Sequence, residues 1–214
     1  MYLPTHFAED RPPVLHALMR AHPLATVVAM TPAGLVANHI PLLLAAGADG
    51  GGTRLLGHVA RGNTLWREAA GAPVLAIFQG PQHYISPGWY PTKQETGKVV
   101  PTWNYCAVHV QGPLVVHDDP AWLRALVERL TTVHESAMPA PWAVSDAPAD
   151  YIDTLLRNIV GIEIPVERIA GKWKASQNQP EGNRAGVVEA LARHDGPDAA
   201  AMAQLVKGGT ADRG

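Results

Sequence analysis

Cysteine is almost absent from this chain of 214 residues, where Cys106 stands alone. A single thiol excludes an internal disulfide and a cysteine-rich zinc site. In the alternating run with Tyr105 and Ala107 it reads as a small core residue. Charge is also sparse: 17 Lys and Arg face 19 Asp and Glu, a net charge of −2, with no long basic block. Composition therefore gives direct DNA binding no support. No apolar run reaches the length of a membrane span. The opening "MYLPTHFAEDRPP" has no basic stretch followed by an apolar one, so no secretory signal is expected. The reading is a cytoplasmic protein without membrane attachment.

Catalytic signatures are missing as well. GxGxxG, a Walker lysine and GxSxG do not occur, which removes Rossmann, P-loop and serine-hydrolase readings. Histidine is plentiful, at ten, yet HxxxH and HExxH spacings are absent. Gly112 and Pro113 interrupt the run between His109 and His117, so no metal centre is expected.

Apolar periodicity is what the chain has. Hydrophobic residues make up 47% of it, enough for a self-sufficient core. "EDRPPVLHALMRAHP" predicts a first helix with Asp10 as cap and Pro12 in its first turn. "LATVVAM", "TPAG" and "LVANHIPLLL" predict a hairpin, followed by a loose loop "AAGADGGGT" and a strand "RLLGHVA". "RGNTLWREAAG" predicts a short helix capped by Asn63, and "PVLAIFQG" another strand. "PQHYISPGWYPTKQETGKVVP" reads as a long loop of the kind that carries function. "TWNYCAVHVQGPLVVH" holds two strands joined near Gly112 and Pro113. Asp119 and Pro120 open a helix through Trp122, Leu126 and Leu130. "SDAPADYIDTLLRNIVG" predicts a second helix with Gly161 at its C′ position. "IEIPVERIAG" is a final strand, ended by Gly171, and two modest helices follow Pro180. The terminal "LVKGGTADRG" reads as a frayed tail. At least six strands at hairpin spacing, with helices around them, point to a mainly β fold built on a barrel.

Three segments can carry binding chemistry. In "GHVARGN", His58 and Arg61 end a strand and Asn63 starts a helix. A helix start and a guanidinium fork suit phosphate oxygens, although the same residues also describe an exposed arginine beside an ordinary cap. In "VPTWNY", Thr102, Trp103 and Asn104 sit where the long loop enters a strand. The ring can cover a flat ligand and the polar groups can read its heteroatoms, while a core tryptophan with polar neighbours is the alternative. In "GKWKASQNQP", Lys172 and Lys174 flank Trp173, and a row of amides follows, as if to hold something flat and anionic. Asn38 and His39 interrupt an otherwise apolar strand in "ANHIP".

The order of these motifs resembles the PaiB family of FMN-binding negative transcriptional regulators. "NHIPLLL", "GHVARGNTLWRE", "FQGPQHYISPGWYPTK", "GKVVPTWNY" and "IVGIEIPVERIAGKWKASQNQP" carry the likeness, which runs from Met1 to about Leu191. It implies a split β-barrel of the pyridoxamine-phosphate-oxidase type over residues 1–191, with 192–214 as a short helical extension. It implies a homodimer with two FMN sites at its interface. His58, Arg61 and Asn63 would then hold the phosphate. Thr102, Trp103 and Asn104 would read the ring. Lys172, Trp173, Lys174, Gln177 and Arg184 would close the site, with Asn38 and His39 along the ring. Only Arg61, followed by Gly62 and Asn63, stands where those oxidases use an arginine-lysine pair, which argues against oxidase activity on pyridoxamine phosphate. Two further functions stay open: a flavin-dependent small-molecule oxidoreductase, and a haem-binding or haem-degrading relative of the same barrel.

Overall fold

In the computed structural model of the protein, residues 1–47 and 52–208 are described. The chain begins with β1 (Ala8–Glu9) and α1 (Pro12–Ala21). Leu15, Leu18 and Met19, at helical spacing, are the buried stripe of α1. Next come β2 (Leu24–Thr31), β3 (Gly34–Pro41), β4 (Leu43–Ala46) and β5 (Thr53–Ala60). The single turn α2 (Leu65–Glu68) precedes β6 (Pro73–Ile85). A 3-10 turn at Pro87–Trp89 and α3 (Thr92–Thr96) lead into β7 (Thr102–Pro113) and β8 (Val115–His117). Then follow α4 (Pro120–Glu135), α5 (Ala149–Leu156), β9 (Ile159–Pro165) and β10 (Arg168–Lys174). α6 (Glu181–Leu191) and α7 (Pro197–Gly208) complete the described chain. None of the described helices is long and apolar enough to cross a membrane.

The chain forms two compact units. The first comprises Met1–Ala21, Gln79–Val108 and the residues from Ala170 onward. Here β1 pairs antiparallel with β10, placing Ala8 opposite Lys172 and Glu9 opposite Gly171. Its core gathers Val187, Leu191, Met202 and Val206 from α6 and α7 around Ile85 and Tyr90. Burying side chains of this size contributes roughly 1.5–3 kcal/mol each, which is why these two helices dock despite weak amphipathicity in sequence.

The second unit comprises His22–Phe78 and His109–Ile169. In it β2 pairs with β3 along its whole length, from Leu24 opposite Pro41 to Thr31 opposite Gly34. The other edge of β2 pairs with β6, Thr26 facing Ile77 and Ala29 facing Val74. A separate antiparallel sheet has the order β4-β5-β9-β8. α4 lays Leu126 and Leu130 against Ala45 and Leu56 of that sheet. Its Leu123 meets Ile152 and Leu156 of α5. Asp119 caps α4 as expected, accepting a hydrogen bond from the Trp122 amide at 2.7 Å.

Several local expectations are corrected. The strand expected to stop at Gly171 continues through Gly171–Lys174 as part of β10. Gly171 is there for closeness rather than as a breaker. A Cβ on it would lie 2.2 Å from the Leu15 Cδ2 and 2.6 Å from the Glu9 carbonyl oxygen. α5 ends at Leu156, and Gly161 lies inside β9 rather than at a helix terminus. The expected long loop is shorter, because β6 runs on to Ile85 and α3 organises part of the remainder. Asn63 does not cap α2 from the N-cap position, where Thr64 stands, although its Oδ1 accepts from the Leu65 amide at 2.9 Å. The second of the two helices expected after Pro180, over "DAAAMAQLVKG", is α7, so Leu205–Gly208 are helical up to the point where the tail begins. The rest of that tail, 209–214, and residues 48–51 of the "AAGADGGGT" loop lie outside the described residues.

Candidate functional site

In the first unit, the segment after β10 decides the geometry. Ser176 has φ of 61°, left-handed backbone that a non-glycine residue adopts only under constraint. Gln177 supplies the constraint. Its Oε1 accepts from the Ala175 amide at 2.7 Å and its Nε2 donates to the Trp173 carbonyl at 2.5 Å. The Gln179 amide then donates to the Ser176 carbonyl at 3.0 Å, closing the turn. The Ser176 hydroxyl is thereby held inward, where it accepts from Asn104 Nδ2 at 2.9 Å. Both residues are buried. Burial raises the Tyr90 phenol above its ordinary range, and a hydrogen bond with Ser176 opposes that rise. Tyr90, Ser176 and Asn104 thus form one polar chain along a wall.

That wall belongs to a cavity of about 440 Å³, within the range of small-molecule sites. Thr102, Asn104, Lys174 and Ser176 line it, with Phe7, Val99 and Val100 as apolar surfaces. Lys174 donates a short hydrogen bond to Thr102 Oγ1. Burial first, and then the nearby Lys172 charge, pull the Lys174 ammonium below the usual lysine range. A half-buried cation whose hydrogen-bond partner is a neutral hydroxyl is a ready counterpart for an anion.

The other expected residues of this unit do structural work. Lys172 is buried, donates to the Tyr2 carbonyl at 3.1 Å and lies over the Tyr105 ring at 5.3 Å. Trp103 is exposed and meets Tyr84 edge-on at 5.9 Å. Arg184 donates to the Val206 carbonyl at 3.2 Å, tying α6 to α7. Gln177 braces the turn, and Trp173 is half-buried near Gly171. These five do not line the cavity. Tyr90, Thr92, Lys98, Ser176 and Asn183 do, and were not singled out as site residues from sequence. For Tyr90, Thr92 and Lys98 the signal was present in the proline- and glycine-rich segment flagged as functional. Ser176 lies within the flagged "GKWKASQNQP", but nothing in the sequence marks its left-handed φ or its inward hydroxyl.

In the second unit, the Asn63 amide donates to Asn38 Oδ1 at 2.7 Å, joining the end of the β5 segment to β3. His39 pairs with Thr26 across β2 and β3, Nδ1 to Oγ1 at 3.1 Å. His58 Nδ1 is buried without a hydrogen-bond partner, and burial lowers its pKa so that the neutral ring is favoured. Arg61 is heavily engaged. It forks onto Asp118, at 2.9 Å through Nη1, and donates to the carbonyls of Arg157 and Ile159 at 2.7 and 3.1 Å. The guanidinium holds the Asp118 carboxyl below the usual range. An anion at Arg61 has to share it with Asp118.

Cys106 is buried, and burial pushes its thiol up to about 12, which removes it as a nucleophile near neutral pH. Among the described residues no group of three or more His, Cys, Asp or Glu is placed to hold a metal ion.

A family model described as "Putative FMN-binding domain" matches residues 1–168. An uncharacterized protein of Emericella nidulans is 34% identical over 223 aligned residues, covering 88% of this chain and 89% of that one. The Bacillus subtilis "Protease synthase and sporulation protein PAI 2" is 32% identical over 211 residues, 97% of each chain. Among solved structures, the flavocytochrome Anf3 from Azotobacter vinelandii matches with a TM-score of 0.55 at 12% identity. It covers 78% of this chain and 69% of its own. The FAD and heme binding protein from Mycobacterium smegmatis matches with a TM-score of 0.51 at 18% identity, over 78% and 73%. At such identities the structural likeness shows the fold alone, the mainly β split-barrel type expected from sequence.

Proposed function

The chain belongs to the FMN-binding family of PaiB type, and from that premise we propose a homodimeric cytoplasmic FMN protein that represses transcription. FMN is the cofactor of the family. The observation that carries the flavin reading is the cavity with Lys174, Thr102 and Asn104 on its wall. Its polar, cation-bearing and apolar surfaces suit a flat heterocycle that accepts hydrogen bonds and carries negative charge when reduced. We assign Thr102, Asn104 and Lys174 to the ring. Within the second unit, His58, Asn63 and Arg61 are proposed as a phosphate-binding set, with Asn38 positioning Asn63. The buried, unpartnered His58 Nδ1 supports a polar ligand there.

When bound, FMN supplies hydride and single-electron chemistry. A flavin-dependent oxidoreductase is therefore the second reading, favoured by the open volume beside Lys174. The haem reading has less behind it, since no histidine lines the cavity. The regulatory role rests on kinship with the PaiB type. With a net charge of −2, DNA contact has to come from a local basic face or a partner. The experiment is a titration of flavin-free protein with FMN and FAD, followed by DNA mobility shifts at 50 and 200 mM salt. FMN binding tighter than FAD, with FMN-dependent and salt-sensitive DNA affinity, is the expected result. Equal or tighter FAD binding overturns the FMN preference. DNA binding that fails at both salts overturns direct repression, and reduced pyridine nucleotide bleaching a bound flavin then favours the enzyme.

One sheet face in the second unit supports the dimer. Leu24, Val28 and Met30 of β2 share it with Leu35 and Ala37 of β3 and with Leu75 and Ile77 of β6, around the hydrogen-bonded pair Thr26 and His39. Leu24, Met30 and Leu35 are 62%, 60% and 71% exposed in the single chain. An apolar face of this extent on an isolated chain calls for a cover, and a two-fold dimer is the commonest one. Light scattering is expected to give a dimer, and Met30→Glu with Leu35→Lys a monomer. A wild-type monomer with full FMN affinity overturns the assignment.

A further inference from the structure

The cavity of the first unit holds more chemistry than the flavin assignment uses. Its fifteen lining residues include two lysines, Lys98 and Lys174, and no carboxylate. Small cavities with charge of one sign concentrate ligands of the other sign. The short polar side chains around Lys98 are fixed by their own bonds. Thr92 Oγ1 donates to Asn183 Oδ1 at 3.0 Å, and Asn183 Nδ2 donates to Gln179 Oε1 at 3.0 Å. Thr96 Oγ1 donates to the Thr92 carbonyl at 3.1 Å and accepts from the Lys98 amide at 3.2 Å. α3 is thus tied to α6 through Thr92 and Asn183, and the coil after it places Lys98 on the cavity lining. Across the lining, Lys174 faces a neutral hydroxyl and is repelled by Lys172. The unit has gathered positive charge here without supplying a counter-charge among the lining residues.

We propose that this cavity takes a small organic anion together with the flavin, its carboxylate or phosphate oxygens held by Lys98 and its apolar body against Phe7, Val99 and Val100. Such an anion is the substrate class in the oxidoreductase reading and the effector class in the repressor reading. The inference rests on the flavin reading only for what occupies Thr102 and Lys174. Lys98 belongs to the anion, and Lys174 adds its field to both.

The test uses FMN-loaded protein and three probes of one shape: benzoate, phenyl phosphate and the neutral benzamide. Binding is read by calorimetry and by the visible spectrum of the flavin. Benzoate or phenyl phosphate is expected to bind at least tenfold more tightly than benzamide at low salt. Whichever of the two binds more tightly identifies the headgroup. Lys98→Ala is expected to lower that affinity about tenfold and Lys98→Arg to retain it, with FMN affinity unchanged in both. Equal binding of benzamide, an unchanged affinity in Lys98→Ala, or displacement of FMN by the anion overturns the proposal. A protein that retains no flavin yet binds the anions through Lys98 sinks the flavin reading and leaves this one standing.

Discussion

Lys174→Met is expected to weaken FMN binding roughly 10- to 150-fold, the equivalent of one charge-assisted hydrogen bond of about 1.5–3 kcal/mol. Methionine keeps the apolar stem along the cavity wall and removes the ammonium. The folded state loses a single bond, from Nζ to Thr102. It also sheds the cost of a half-buried cation beside Lys172, the two causes that lower the Lys174 pKa. Stability is therefore expected to stay within about 1 kcal/mol of the parent. Denaturant midpoint and FMN affinity measured on the same sample separate the two effects. A variant that binds FMN like the parent removes Lys174 from the flavin site. Gln177→Ala, by contrast, is expected to lose stability. Its amide holds the turn through Ala175 and Trp173 and so keeps Ser176 in its left-handed conformation.

Gly161→Ala is expected to destabilise the protein by about 3 kcal/mol, the upper part of the range for forcing a methyl group into a filled core. The added Cβ would lie 2.2 Å from Cζ3 of Trp122 and 3.0 Å from the His117 carbonyl oxygen. The ring has little room to retreat, because it stacks on His117 at 4.1 Å with planes 7° apart. Trp122 also packs beside the contacts α4 makes with the β4-β5-β9-β8 sheet and with α5. Trp122→Ala alone is expected to cost about 3–5 kcal/mol. The double variant is expected to lose little beyond Trp122→Ala, because the clash with the ring has gone and only the 3.0 Å approach to the His117 carbonyl remains. Urea midpoints on the four proteins of the cycle measure this coupling. Additive losses would show that Gly161 is needed for something other than room for the ring.

The contrast between these two positions shows how far the residues speak for themselves. Asp119 and Pro120 announce α4, because a carboxylate cap and a proline first turn act within four residues of chain. The β2–β3 hairpin is equally local, with β-branched alternation on either side of a turn. Motif order along the chain was enough to indicate an FMN-binding family and a split-barrel fold. The sequence by itself determined those elements and the loss of Cys106 as a disulfide partner, and it drew attention to "VPTWNY" and "GKWKASQNQP", whose Thr102, Asn104 and Lys174 line one cavity. Tertiary structure decided the rest. A glycine reads as a helix stop or a strand breaker until a distant group arrives. Gly161 needs Trp122, and Gly171 needs Leu15 and the Glu9 carbonyl, to show that they are sites of close approach. Arg61 reads as a free phosphate fork until Asp118, 57 residues on, takes two of its donors. Ser176 takes its place on the cavity wall only through Asn104, 72 residues before it, and through the brace of Gln177. Propensity and capping are fixed by neighbours in sequence, whereas burial, pairing and pKa depend on which remote groups exclude water from the same few ångströms.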